Sequence, residues 1–346
     1  MSGLALVVGM VMTLGACSGI KPGNAKAMQP LKEATVSKLK TMGSGPGQGM
    51  MIRIFKQSSE LEVWKETAQG YKLFKTYEIC AWSGDLGPKI KEGDRQSPEG
   101  FYTITPGLMN PNSNYYLAFN TGFPNKFDRA YGRTGSDLMV HGDCSSRGCY
   151  SMTDESIAEI YALARETFKG GNPSFQLQIF PFRMTPANLA KQSANQHFAF
   201  WQDIKEGYDR FELTKRPPSW DVCNKEYVFD VPSGVGLLDA AAACPPNIGD
   251  TTMTAALQAK QAADTAAMGV EVANLEKKAA EAAKRAEAEK LAAEKAAAAQ
   301  AEAKARGEAI GNWVGGLFGG GKDAGVEKTI DPAKQAPVPQ QRPQRG

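Results

Sequence analysis

The sequence predicts a mainly β domain with docked helices, followed by a long separate helix. Three observations carry this. Short apolar segments with period-two alternation recur between residues 50 and 230. A single amphipathic run, Ile157, Ile160, Tyr161, Ala164 and Phe168, interrupts them after the helix-start signal Thr153-Asp154. From residue 252 the composition turns to Ala, Glu, Lys and Gln, strong helix formers apart from any core. At 346 residues the chain can bury a sizeable core and hold two or so domains. Its net charge of +3, with no basic patch interleaved with aromatics, sets nucleic-acid binding aside.

Taken in order, Leu4–Cys17 is an apolar run too short to span a bilayer, and it reads as the core of an export signal over 1–17. No Lys or Arg precedes Cys17, so the usual basic flank is missing. Residues 18–49, rich in Gly, Pro and Lys with one amphipathic piece near Leu31–Leu39, read as a flexible tether. The main domain is expected over 50–232. Ile52 and Ile54, then Leu61 and Val63 across Ser58-Ser59, predict a hairpin. Further strands are expected around 71–79, 101–105, 115–120, 138–140, 175–180 and 227–229, with helix over 186–213 until Arg216-Pro217-Pro218 ends it. A linker is expected over 233–251. Residues 252–310 predict a solvated helix or weak coil, roughly 80 Å long if unbroken. Large side chains are too sparse after Leu275 for a sustained seam. The remainder, 311–346, is glycine-rich and then Pro/Gln-rich, the composition of a disordered tail.

The chemistry concentrates in His141-Gly142-Asp143-Cys144-Ser145-Ser146-Arg147-Gly148-Cys149. One of only two histidines stands eight residues before a cysteine that follows a Ser-x-Gly turn. An imidazole there can take the Cys149 proton and later hand it to a leaving amine. The N–H groups of Gly148 and Cys149 are placed to hold an oxyanion. A thiol near the start of the next helix is expected to have its thiolate favoured. Ser146, Arg147 and Arg133 are the candidates to bind substrate, and Arg147, held between Ser146 and the Gly-Cys turn, is the best of the cations to bind a carboxylate. His197 reads as a partly buried structural histidine. Cys80 is expected in the core, and Cys144 as structural rather than lining the site. A Cys223–Cys244 bond is plausible, but spacing does not establish it. Two separated histidines and scattered cysteines show no metal-ligand spacing, and no cofactor is expected.

His141-Gly142 followed by Ser146-x-Gly148-Cys149 resembles the signature of the L,D-transpeptidase (YkuD-type) family, and HGDC-x-x-x-GCYSMT is nearest its YafK branch. Gly84-x-x-Gly87-Pro88-Lys89, Ser97-Pro98-Glu99-Gly100-Phe101-Tyr102 and Ile179–Thr185 extend the likeness over roughly residues 50–230. Ser151 departs from the Arg or Asn that many members carry two residues after the nucleophile. The resemblance implies a YkuD-like sandwich and a Cys149 thioester with the diaminopimelate carbonyl of a peptidoglycan stem peptide. The thioester would pass to an amine or to water, and the YafK branch implies water, releasing wall-bound lipoprotein. Leu14-Gly15-Ala16-Cys17 similarly resembles a lipobox, implying lipidation at Cys17 and, with Ser18 next, a periplasmic protein anchored to the outer membrane. The rival expectation is a non-catalytic peptidoglycan-binding lipoprotein that holds a partner through its long helix.

Overall fold

Alternation in Met50–Phe55 produces a strand, β1, whose two faces feed two different cores. The computed structural model describes residues 22–232, 235–246 and 251–318. Along β1, Met50, Ile52 and Ile54 enter one apolar cluster while Phe55 enters a second. All six residues are therefore buried, as in a central strand covered on both sides. β2 (Glu60–Thr67) pairs antiparallel with β1, placing Val63 opposite Ile52 and Leu61 opposite Ile54. β3 (Gly70–Glu78) continues the meander. β4 (Gly100–Ile104) lies at the far edge of this sheet.

A second sheet is built from β5 (Met109–Asn110), β6 (Ala118–Asn120), β7 (Met139–His141) and β8 (Tyr150–Ser151), in that order. Two helices, α1 (Pro22–Ala27) and α2 (Glu33–Thr41), precede the first sheet. A short helix, α3 (Lys126–Ala130), lies between β6 and β7 and is closed by an Asn125/Asp128 capping box. The amphipathic run becomes α4 (Asp154–Lys169), with Thr153 Oγ1 accepting the Ser156 N–H at its start. After it, β9 (Phe175–Phe180) inserts parallel to β1 and antiparallel to β4, completing the order β3-β2-β1-β9-β4. The first cluster lies between the two sheets and α4. The second is covered by α5 (Pro186–Lys191), α6 (Phe198–Thr214) and the hairpin β10 (Trp220–Cys223)–β11 (Glu226–Phe229). The expected mainly β fold with docked helices is what forms.

The structure corrects several expectations. The segment read as a tether holds α1 and α2, and Ala27 and Leu39 are buried in the first cluster. Lys65 Nζ, on a buried side chain, donates to the carbonyls of Pro46 and Gln48 and so pins the chain between α2 and β1. The 186–213 helix is two helices, because Asn195 accepts the His197 N–H in a turn between them. Cys80 is exposed rather than core, and is bonded to Cys144. Cys223 and Cys244 are bonded to each other.

The chain divides into two units, Met1–Glu276 and Lys277–Gly346. α7 (Thr251–Phe318) supplies helix to both. In the first unit Leu257 is buried, Met268 packs on the second cluster, and Asp264 pairs with Lys205 and Lys260. In the second, every residue from Lys277 to Leu317 is exposed. Helix thus continues over Gly311–Phe318, where a disordered tail was expected. The signal segment with Cys17, and 319–346, lie outside the described residues.

Candidate active site

His141 ends β7, and Cys149 lies immediately before β8, the strand paired with it. These strands are parallel, with Val140 opposite Tyr150 and His141 opposite Ser151. Cys149 stands immediately before β8, and its sulfur meets the start of β7 at the Met139 N–H, two residues before His141. The strands are fixed by their neighbours: Val140 and Tyr150 are fully buried in the first cluster, and Tyr150 Oη donates to Pro98 O at 2.7 Å. Tyr115 packs on the His141 ring at a centroid distance of 4.7 Å.

The His141 ring is nearly buried, with Nδ1 2.5 Å from the Gly142 carbonyl oxygen. Only a protonated Nδ1 can donate to a carbonyl, so this contact selects the tautomer whose Nε2 is free as a base. Burial holds the imidazole pKa below its ordinary value. The half-buried Cys149 sulfur accepts the Met139 N–H at 3.4 Å and faces Asp137 O at 3.5 Å. Burial pushes the thiol up, against the pull of the Met139 N–H and the Lys89 ammonium. This reverses the expectation of a favoured thiolate. The positive end of α4 is occupied by Thr153, Asp154 and Glu155, and Cys149 lies before β8. Both groups therefore rest neutral near pH 7, a thiol and an imidazole able to act as general base.

The remaining predicted residues divide. Gly148 adopts φ +125°, a conformation that favours glycine, and so turns the chain into Cys149. Its N–H donates to Ser146 Oγ at 3.3 Å, while that hydroxyl donates to Cys149 O at 2.6 Å. Ser146 thus shapes the turn, and Gly148 N–H must exchange this partner to hold an oxyanion. Arg147 is exposed and has no ion pair among the described residues. Arg133 differs from expectation: it is buried, paired with Asp128 at 2.8 Å, and stacked on Phe127 and Phe200, so its guanidinium is already committed. Ser151 is fully buried and donates both its N–H and its hydroxyl to Ala81 O at 2.9 Å.

Sequence reasoning missed the support beneath the turn. Lys56 Nζ, fully buried, donates to the carbonyls of Asp85, Gly87 and Ser97 and lies 3.0 Å from Glu99. Glu99 also accepts from Trp201 Nε1 and Gly87 N–H. This network sets the course of residues 85–97, and Ser97 Oγ reaches Cys149 O at 3.4 Å. Along the same loop opens a groove of about 660 Å³ lined by Asp85, Leu86, Ile90, Lys91, Gln96 and His197. The one available signal was Lys56 itself, a lysine directly after the all-buried β1.

The family model for the L,D-transpeptidase catalytic domain (YkuD) matches residues 54–172. The Escherichia coli (strain K12) protein named "Putative L,D-transpeptidase YafK" is 45% identical over 186 residues, 54% of this chain and 76% of that protein. Its counterpart in E. coli O157:H7 matches to the same extent. Among solved structures, the helical cell shape determining protein Pgp2 from Campylobacter jejuni matches at 18% identity. The match covers 57% of this chain and 81% of that one, with a TM-score of 0.32. Bd1075 of Bdellovibrio bacteriovorus matches at 21% identity over 47% and 58%, with a TM-score of 0.28.

Proposed function

The chain belongs to the L,D-transpeptidase family, whose substrate is peptidoglycan, and from that premise we propose that it is a cysteine acyltransferase acting on stem peptides. The observation that supports the reading is the pairing of β7 with β8, which runs the strand following Cys149 alongside the strand that ends in a base-competent His141. His141 Nε2 takes the thiol proton as Cys149 Sγ attacks the carbonyl carbon of diaminopimelate. The oxygen becomes an oxyanion held at the Gly148–Cys149 turn. His141 returns the proton to the departing amine, leaving a thioester on Cys149. Water then yields a shortened peptide, or an amine yields a new amide. Kinship with YafK favours water and release of wall-linked lipoprotein. Exposed Arg147, and Lys91 along the groove, are the cations free to meet peptide carboxylates. The apolar run ending at Cys17 supports export and a lipid anchor facing the periplasm.

One observation favours the rival binding role. No hydrogen bond joins Cys149 Sγ to the His141 ring among the described residues, and burial pushes the thiol pKa above its ordinary value. The deciding experiment incubates diaminopimelate-containing sacculi, with and without bound lipoprotein, with wild type and Cys149→Ala. Mass spectrometry then reads the products. Freed lipoprotein with shortened peptides, absent for the variant, supports hydrolysis, whereas new dimers support transpeptidation. Identical profiles from both proteins, with folding intact, overturn the enzyme in favour of the binder.

A further inference from the structure

The connection between His141 and Cys149 contains two residues other than glycine in the left-handed region, Asp143 (φ 65°) and Cys144 (φ 26°). Side chains with a Cβ adopt this conformation uncommonly, Asp more readily than Cys, so Cys144 needs a local restraint to hold it. The surrounding segment is exposed at Asp143, Cys144, Ser145 and Arg147, so packing does not supply the restraint. Backbone N–H groups do part of it: Gly142 donates to Tyr115 O at 3.1 Å, Asp143 to Asp154 Oδ1 at 3.0 Å, and Cys144 to Met152 O at 3.3 Å. A further restraint, at Cys144 itself, is covalent. Cys144 is disulfide-bonded to Cys80, 64 residues away, with Cα atoms 5.0 Å apart.

Cys80 is anchored on the strand that leaves the nucleophile. Its N–H donates to Ser151 O at 2.9 Å, and the next residue, Ala81, accepts both the N–H and the hydroxyl of Ser151. The disulfide therefore ties the middle of the His141–Cys149 connection to a segment clamped two residues beyond Cys149. We infer that the Cys80–Cys144 disulfide is a positioning brace for the reacting pair. It fixes the course of the 142–148 connection and so sets where the sulfur stands relative to His141. This deepens, and rests on, the reading of Cys149 and His141 as the reacting groups. The second bond, Cys223–Cys244, joins β10 to the segment beyond the β10–β11 hairpin and has no part in the brace.

Opening the brace and removing catalysis leave different signatures, so two readouts are needed. The first is the pH profile of Cys149 alkylation by iodoacetamide in the full chain, which requires no substrate. The second is turnover on sacculi. In Cys80→Ser/Cys144→Ser the connection loosens and water reaches the sulfur. The alkylation midpoint then moves down toward that of an ordinary thiol, while turnover falls at least about tenfold, as misplacement of reacting groups does. Cys223→Ser/Cys244→Ser leaves both readouts at wild type. Dithiothreitol treatment of wild type is the second arm should the double variant fail to fold. The dithiol passes two electrons and two protons to the Cys80–Cys144 bond, becomes a cyclic disulfide, and leaves two thiols. It reproduces the shift, and reoxidation reverses it. An unmoved alkylation profile overturns the brace, as does unchanged turnover where wild type turns over. A moved profile with no turnover in any protein supports the brace and refutes the enzymatic reading instead.

Discussion

Lys56 Nζ lies 3.0 Å from a Glu99 carboxylate oxygen, with both side chains fully buried. Three carbonyls from residues 85–97 complete the ammonium's partners, and Trp201 and Gly87 complete those of the carboxylate. A buried pair of this kind contributes little over an apolar replacement of both partners, but removing one leaves a stranded charge. Burial already pushes the Lys56 pKa down against the pull of Glu99. Lys56→Met is expected to lower stability by about 3–5 kcal/mol, read as a lower denaturant midpoint with an unchanged slope. Because the lost bonds hold the loop along the groove, the variant's KM on sacculi rises as well. A midpoint equal to wild type would show that Glu99 finds another partner.

The pH dependence comes from a thiol pushed up and an imidazole pushed down, both by burial. A general-base mechanism needs neutral His141. Its protonation sets the acid limb of kcat/KM, which should fall below the ordinary histidine value of about 6.5. The alkylation midpoint of Cys149 should lie above the ordinary thiol value of about 8.5. His141→Gln, which keeps a polar side chain but no base, is expected to remove the acid limb and to lower turnover by about 10²–10⁴. An alkylation midpoint below the ordinary thiol value would instead mean a resting thiolate–imidazolium pair, contrary to the geometry.

Ser151 shows where a motif position is legible as a departure but not as a role. The sequence places it two residues after Cys149, where many family members carry Arg or Asn. Buried against Ala81, it docks a neighbouring segment and presents no side chain to a ligand. Ser151→Ala is expected to cost about 1 kcal/mol for its hydroxyl bond, with turnover nearly unchanged. Ser151→Arg places a long cation in a site with no room for it. Expression and thermal melting will show a far larger loss. Soluble, active Ser151→Arg would mean the Ala81 segment yields readily.

What the sequence displays is local. The β1–β2 hairpin, the start of α4 at Thr153 and the spacing of His141 and Cys149 each lie within a few residues of their cause. What it hides depends on partners far along the chain. Glu99 is 43 residues from Lys56. Cys80 and Cys144 are separated by 64. Arg133 reads as free to bind a carboxylate, and only the fold brings Asp128 and Phe200 around it. The polar composition of residues 22–41 favours a tether, and only the pocket that receives Leu39 makes α2 worth folding.

Burial also relocates the boundary of the catalytic unit. All motif residues lie before Asp250, ahead of the helix. The first part of α7, however, buries Leu257, packs Met268 on the second cluster, and offers Asp264 to Lys205. Lys205 also pairs with the buried Asp209 on α6, to which Lys260 of α7 approaches at 3.3 Å. Ending the chain at Asp250 removes these contacts. Leu257 alone accounts for about 1.5–3 kcal/mol, and the charges around Asp209 lose a partner. A chain ending at Glu276 keeps every one of them, since residues beyond it are exposed throughout the described helix. Thermal melting and sacculus turnover of the two truncations should therefore separate. The longer matches full-length protein, and the shorter melts several degrees lower and loses activity first on warming. Equal melting of the two would show that α6 holds its place without α7.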